Sequence, residues 1–150
     1  MSIRENIAKN IQTVLSDMTP PRPVFVTREP FDAQKLAITQ FPAVLITTGN
    51  ETREEHTMGG NRRAVLEMQI QGFVRSDGRQ GMVQSVDTQR NNLVERIEET
   101  LNSDRTRELG ESTAVMTRVS QVEVNQDRQP PLGEFTITCE VHYTFTTSVL

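Results

Sequence analysis

The side chains best suited to chemistry in this chain are its two histidines, its single cysteine and a cluster of glutamates at helical spacing. His56 closes the run Glu51-Thr-Arg-Glu-Glu-His56. A metal-ligand or general-base role would need partners supplied from elsewhere in the fold. The run itself is polar loop, so His56 reads as a solvated histidine. His142 follows Glu140 and precedes Thr144 on the same parity of an alternating segment. That spacing is open to a Glu–His proton relay, but a surface cross-strand pair is the default. Cys139 falls on the opposite parity with Ile137 and Val141, so it reads as a small buried hydrophobe and not a nucleophile. As the only cysteine it excludes an internal disulfide. Glu95, Glu98 and Glu99 fit the solvated side of an amphipathic helix, whereas a glycosidase pair needs opposed carboxylates. Gly59-Gly60 and the Gly78/Gly81 pair lack the spacing and the Lys-Ser/Thr of a phosphate-binding loop. No residue is nominated as catalytic, cofactor-binding or metal-ligating, and the expectation is a protein that is not an enzyme.

The elements that must position these residues follow from hydrophobic periodicity. Ser2-Ile-Arg-Glu5 has the form of a capping box. Ile3, Ile7, Ile11, Val14, Leu15 and Met18 then recur at helical spacing, predicting a helix over 2–18 that Pro20 and Pro21 end. A short strand over 23–27 follows, with a turn of helix within 32–38. Strands over 43–52 and 62–75 form a hairpin whose polar tip spans Gly49 to Asn61. Ala64, Leu66, Met68, Ile70, Gly72 and Val74 share one face of the second strand, and Glu67, Gln69 and Gln71 the other. Residues 76–81 are a turn cluster. Val83, Val86, Arg90, Leu93, Val94, Ile97 and Leu101 mark a second helix over 83–103, with Ser85 as a candidate cap. A short turn is expected within 104–110. The strand over 113–124 slips parity between Val119 and Val122, the mark of a bulge. Residues 125–132 form a loop. In the last strand, 133–146, apolar side chains hold every odd position from 135 to 145. At ~3.4 Å per residue the alternating run 135–145 alone spans roughly 35–40 Å, long enough to reach past its own core to a neighbour. The order α-β-β-β-α-β-β predicts one α+β domain over 1–150, a mainly antiparallel sheet packed by two amphipathic helices.

Hydrophobic residues are 35% of the chain, with no Trp and one Tyr, so the core is modest and association is expected to add stability. The net charge of −4 argues against general nucleic-acid binding. All the basic residues but Lys9 and Lys35 are arginine, which fits either codon usage or interface ion pairs with carboxylates. Residues 1–18 do not read as a signal peptide, and no apolar run approaches the ~20 residues of a membrane span. The expectation is a soluble protein made in the cytoplasm, without cofactor or membrane partner.

The hairpin tip is the strongest candidate surface. Glu51, Arg53, Glu54 and Glu55 precede Arg62 and Arg63 across it. The segment reads as a solvated loop or as an interface arm whose charges pair with another copy or another ring. Further candidate interface residues are Arg75, Arg79 and Arg128, in or beside turns, and Glu140 and His142 on the polar side of the last strand.

Several phrases carry a family resemblance. Phe41-Pro-Ala-Val-Leu-Ile46 leads into Gly49 and Glu51. Arg62-Arg63 opens an alternating strand that ends Gln71-Gly-Phe-Val74. The helix Asn92-Leu-Val-Glu-Arg-Ile-Glu-Glu-Thr-Leu101 comes next, and Pro131-Leu-Gly-Glu-Phe135 opens the last strand. With the N-terminal helix and the element order, the chain resembles the tail terminator, or tail completion, proteins of tailed bacteriophages. The resemblance covers nearly the whole chain and rests on order and phrases, not on an invariant signature. It implies an α+β virion protein that assembles as a hexameric ring. That ring caps the head-proximal end of the tail tube, stops polymerisation and joins the tail to the head connector. The implied partners are other copies of the chain, the tube protein and a connector or neck protein, with DNA passing through the lumen without specific binding. The implied location is the virion, after assembly in the host cytoplasm. A different head–tail joining component and a small-molecule-binding α+β domain are the other readings.

Overall fold

The computed structural model describes residues 3–55, 61–75, 86–103, 107, 116–125 and 132–146. Helix α1, Ile3–Asp17, is followed by β1, Phe25–Thr27, and two 3-10 turns, Ala33–Lys35 and Ile38–Gln40. Strand β2, Ala43–Glu55, and β3, Asn61–Arg75, come next, then α2, Val86–Ser103. The chain closes with β4, Met116–Asn125, and β5, Leu132–Thr146. The fold is α+β in the order α-β-β-β-α-β-β. One five-stranded sheet has the order β1-β2-β3-β5-β4. Only β1 and β2 pair in parallel.

Helical and strand periods meet on one face of this sheet. Ile7, Ile11 and Leu15 of α1 and Leu93, Ile97 and Leu101 of α2 recur every three or four residues, so each helix turns one stripe inward. They pack on Ile46 of β2, on Leu66, Met68 and Ile70 of β3, and on Phe135, Ile137, Cys139 and Val141 of β5. The strands reach that layer with alternate residues because successive side chains leave a strand on opposite sides. A smaller cluster of Ala33, Phe41, Ala43 and Phe73 covers one end of the opposite face. There Phe31 stacks edge-on against Phe73 at 5.3 Å. Asp32 caps the first 3-10 turn by accepting from the Gln34 N–H at 3.0 Å. Arg28 clamps the Glu5 carboxylate with both terminal nitrogens, at 2.6 and 3.0 Å, tying the segment after β1 to α1. The arginine holds the Glu5 carboxyl below the ordinary carboxylate range. Ser2 and Ser85, the expected caps, lie outside the described residues.

Two features differ from the sequence reading, the hairpin tip and the reach of the last strand. The expected tip from Gly49 is strand as far as Glu55, because a bulge between Thr48 and Glu51 lets pairing resume: Glu51 sits opposite Leu66 and Glu55 opposite Arg62. The segment within 32–38 forms 3-10 turns. Helix α2 is described from Val86, and the turn expected within 104–110 lies outside the described residues apart from Arg107. The last strand does not reach out alone, since β3 pairs with it from Asn61↔Thr146 to Arg75↔Leu132. The parity slip in β4 is present, as a register shift between Val119 and Gln121.

Candidate functional site

Register sorts the candidate residues between the two faces of the sheet. On the helix-free face the rows read across strands: Glu54, Arg63 and Thr144; Thr52, Val65, His142 and Met116; Glu67, Glu140 and Arg118; Thr47, Gln69, Thr138 and Gln121. Side chains here are polar and at least partly exposed over most of the face because neither α1 nor α2 covers them. Glu67 and Glu140 are directly opposite, a repulsive pairing in an antiparallel ladder. Arginine and histidine nitrogens lie beside it. Arg118 Nη2 is 3.7 Å from Glu140 Oε1, and His142 Nε2 is 3.4 Å from the same oxygen. Arg63 Nη2 reaches His142 Nδ1 at 3.2 Å. Arg63, His142, Glu140 and Arg118 thus form one chain of charged and polar contacts across three strands. Such a chain lies on the plane of a sheet and offers a mixed-charge surface for docking. Exposed ion pairs of this kind add ~0–1 kcal/mol each, so the row is better suited to specificity than to stability.

The other face receives Glu51 and Arg53, which the bulge turns toward the helices. Glu51 lies in register with Leu66 and Arg53 with Ala64, both core positions. The Glu51 side chain is 4% exposed. Its carboxylate accepts from the Tyr143 hydroxyl and from Arg53 Nε. Burial, then the bond to Glu51, raises the Tyr143 pKa above the ordinary tyrosine range. Glu51 is therefore part of the fold's interior and not of the hairpin's outer surface. The sequence signal for this was Gly49-Asn50, small and turn-forming residues inside a strand pattern, which mark bulges.

The remaining candidates fall out differently. Arg75 lies with its guanidinium carbon 6.0 Å from the Phe41 ring centroid. Glu55 and Arg62 are backbone partners at the described end of the hairpin. His56, Arg79 and Arg128 lie outside the described residues. Glu95 and Glu99 are exposed on α2, and Glu99 pairs with Arg96 at 3.2 Å. Among the described residues no group of three or more His, Cys, Asp or Glu is placed to hold a metal ion. No helix among them is long and apolar enough to cross a membrane. No protein-family model matches the chain, and no curated protein matches it.

Two buried groups went unnoticed in the sequence. Glu134 is 3% exposed despite its polar parity, and it accepts from Gln71 Nε2 at 2.5 Å and from Asn125 Nδ2. Arg107 is also buried and donates to the Leu101 carbonyl at 2.7 Å, closing the end of α2. Cys139 sits in the core as its parity required, and burial pushes its thiol up to about 12. A thiol-specific reagent should therefore label the native protein orders of magnitude more slowly than the denaturant-unfolded chain. Equal labelling rates would place Cys139 outside the core.

Proposed function

We propose that this chain is a structural ring subunit of the tail-terminator kind, capping the head-proximal end of a phage tail tube and joining the tail to the head connector. The observation that carries this reading is the β2–β3 hairpin, continued by β5 into a three-stranded ribbon beyond the reach of β4. Met116 pairs with His142, so the ribbon from Tyr143 to Thr146 has no β4 neighbour among the described residues. Its helix-free side bears Glu54 and Arg63, opposite charges that suit contact with a different surface of a neighbouring copy. Cyclic assembly needs such unlike surfaces. The α+β order and the phrases shared with terminators point the same way. Net charge −4 suits a lumen that passes DNA without gripping it.

Negative-stain electron microscopy over a concentration series, alone and with tail tubes, tests the proposal. Closed rings, or caps at one end of the tubes, are expected. Reversing Arg62 and Arg63 to glutamate should abolish rings and caps while the circular dichroism of the protomer stays native. A protein that remains monomeric and ignores tubes would overturn the reading.

A further inference from the structure

The sheet ends in two long open edges. Strand β4 pairs only with β5, so its far side faces no strand among the described residues. On the other side of the sheet β1 covers β2 only at 43–45, leaving 46–55 as edge. Open edges are templates for another strand, and proteins commonly shield them with proline, lysine or very short strands. Neither stretch contains proline or lysine. Strand β4 has 10 residues, and the open stretch of β2 has the same length. Met116, Val122 and Val124 leave β4 apolar and 49%, 38% and 39% exposed.

We propose that neighbouring copies of this chain join edge to edge, the open edge of β4 in one copy pairing antiparallel with the 46–55 edge of β2 in the next. This rests on the ring reading and names the contact that closes it. Direction follows from topology. Each step from β2 through β3 and β5 to β4 is antiparallel, so β4 runs opposite to β2. A copy carried sideways without inversion therefore brings β4 against β2 in the antiparallel sense. Joining unlike edges leaves neither exposed within a closed ring.

Register follows from parity and from β1. Val122 and Val124 share the helix-bearing face with Ile46 and Val44. Level alignment would set Val124 beside Val44, where β1 already lies. A shift of two residues, ~7 Å, leaves only Asn125, the last residue of β4, level with Leu45 at the end of β1, and keeps every side chain on its face. Val124 then faces Ile46, Val122 faces Thr48, Arg118 faces Thr52, and Met116 faces Glu54. The same shift sets the bulges of the two edge strands opposite each other, Gly49 and Asn50 against Gln121 and Ser120. Arg118, with a side chain 70% exposed, comes within diagonal reach of Glu54 on the neighbour. Within the protomer, Arg4 Nη2 donates to the Gly49 carbonyl at 3.4 Å, at the bulge of this edge.

The test is disulfide cross-linking of the full-length protein, with and without tail tubes, through cysteines placed at Arg118 and Thr52. Opposed cross-strand residues sit about 4.5–5.5 Å apart at Cα, within disulfide range. The double variant Arg118→Cys/Thr52→Cys should oxidise to a ladder of covalent multimers that stops at the ring number. Mixing the two single variants should give covalent dimers, while each alone, and the wild type with its buried Cys139, should give none. Cross-linking of Arg118→Cys with itself would show β4 meeting β4 and overturn the inference. Rings or caps of normal appearance without the mixed cross-link would overturn the edge contact and leave the ring reading standing. Absence of rings, caps and cross-links together would sink both.

Discussion

Replacing Gly72 with alanine is expected to cost about 2–4 kcal/mol, a large share of the roughly 5–15 kcal/mol that holds a domain folded. Gly72 sits mid-strand in β3, directly opposite Phe135 of β5. The Phe135 ring lies across the glycine: a Cβ there would overlap Cζ and Cε1 and come within 2.7 Å of Cε2. The ring cannot retreat easily, because Phe135 is fully buried in the main core. Glycine in a strand interior lacks packing, and here the missing side chain is supplied by the partner strand's aromatic ring. Urea denaturation of Gly72→Ala, Phe135→Leu and the double variant checks this. The double variant should be less destabilised than the two singles summed, by about 1–2 kcal/mol. Strict additivity, or a neutral Gly72→Ala, would refute the contact.

The same glycine shows how far sequence carried. Its place in the alternation of β3 was legible, since Leu66 to Val74 keep period two without interruption. The parity of β5, the stripe of α1 and the slip in β4 were legible for the same reason: one buried face imposes one period. What period cannot show is a change of face. At Gly49-Asn50 one extra residue turns Glu51 and Arg53 from the outside to the helix side, and only that Gly-Asn pair, not the charged residues after it, signals the change. Glu134 was hidden for a related reason. Its burial depends on Gln71 and Asn125, which arrive from two other strands and satisfy the carboxylate. The charged row through Arg63, His142, Glu140 and Arg118 was half legible. Glu140 and His142 stood out by spacing, but Arg118 joins only once β4 is known to flank β5.

Sheet order also decides what the polar face can do. A carboxylate, an imidazole and two guanidinium groups in a row hold one another in place on an open surface, and the repulsion of Glu67 against Glu140 is left for Arg118 to offset. Such a surface discriminates between partners through charge arrangement more than it adds affinity. In the proposed edge-to-edge contact, β4 and the 46–55 stretch of β2 would supply backbone pairing that is blind to sequence. On that proposal, recognition and adhesion are divided between the face and the edges.

Removing the Glu51 carboxylate should loosen the hairpin and the far end of β5 together. Glu51→Ala is expected to cost about 2–4 kcal/mol, because it strips the Tyr143 hydroxyl and the Arg53 guanidinium of a shared, nearly buried acceptor. Tyr143→Phe should cost less, about 1–2 kcal/mol, since Arg53 still neutralises the carboxylate. Hydrogen exchange should localise both losses to Arg53–Glu55, Asn61–Ala64 and Tyr143–Thr146, with the strand centres still protected. The chain's chemistry offers a second readout. Tyr143 is the only tyrosine and there is no tryptophan, so ultraviolet absorbance follows its ionisation alone. Its folded pKa is raised, chiefly by burial and then by Glu51. The stability it contributes is therefore fully present below the ordinary tyrosine value of about 10 and is lost as pH rises through the folded value. The native protein should form tyrosinate only above the range in which the urea-unfolded chain forms it. Glu51→Gln should shift native ionisation downward, because a neutral acceptor repels tyrosinate less than a carboxylate does. Native and unfolded titrations that coincide would place the hydroxyl in water and break the link between the hairpin and β5.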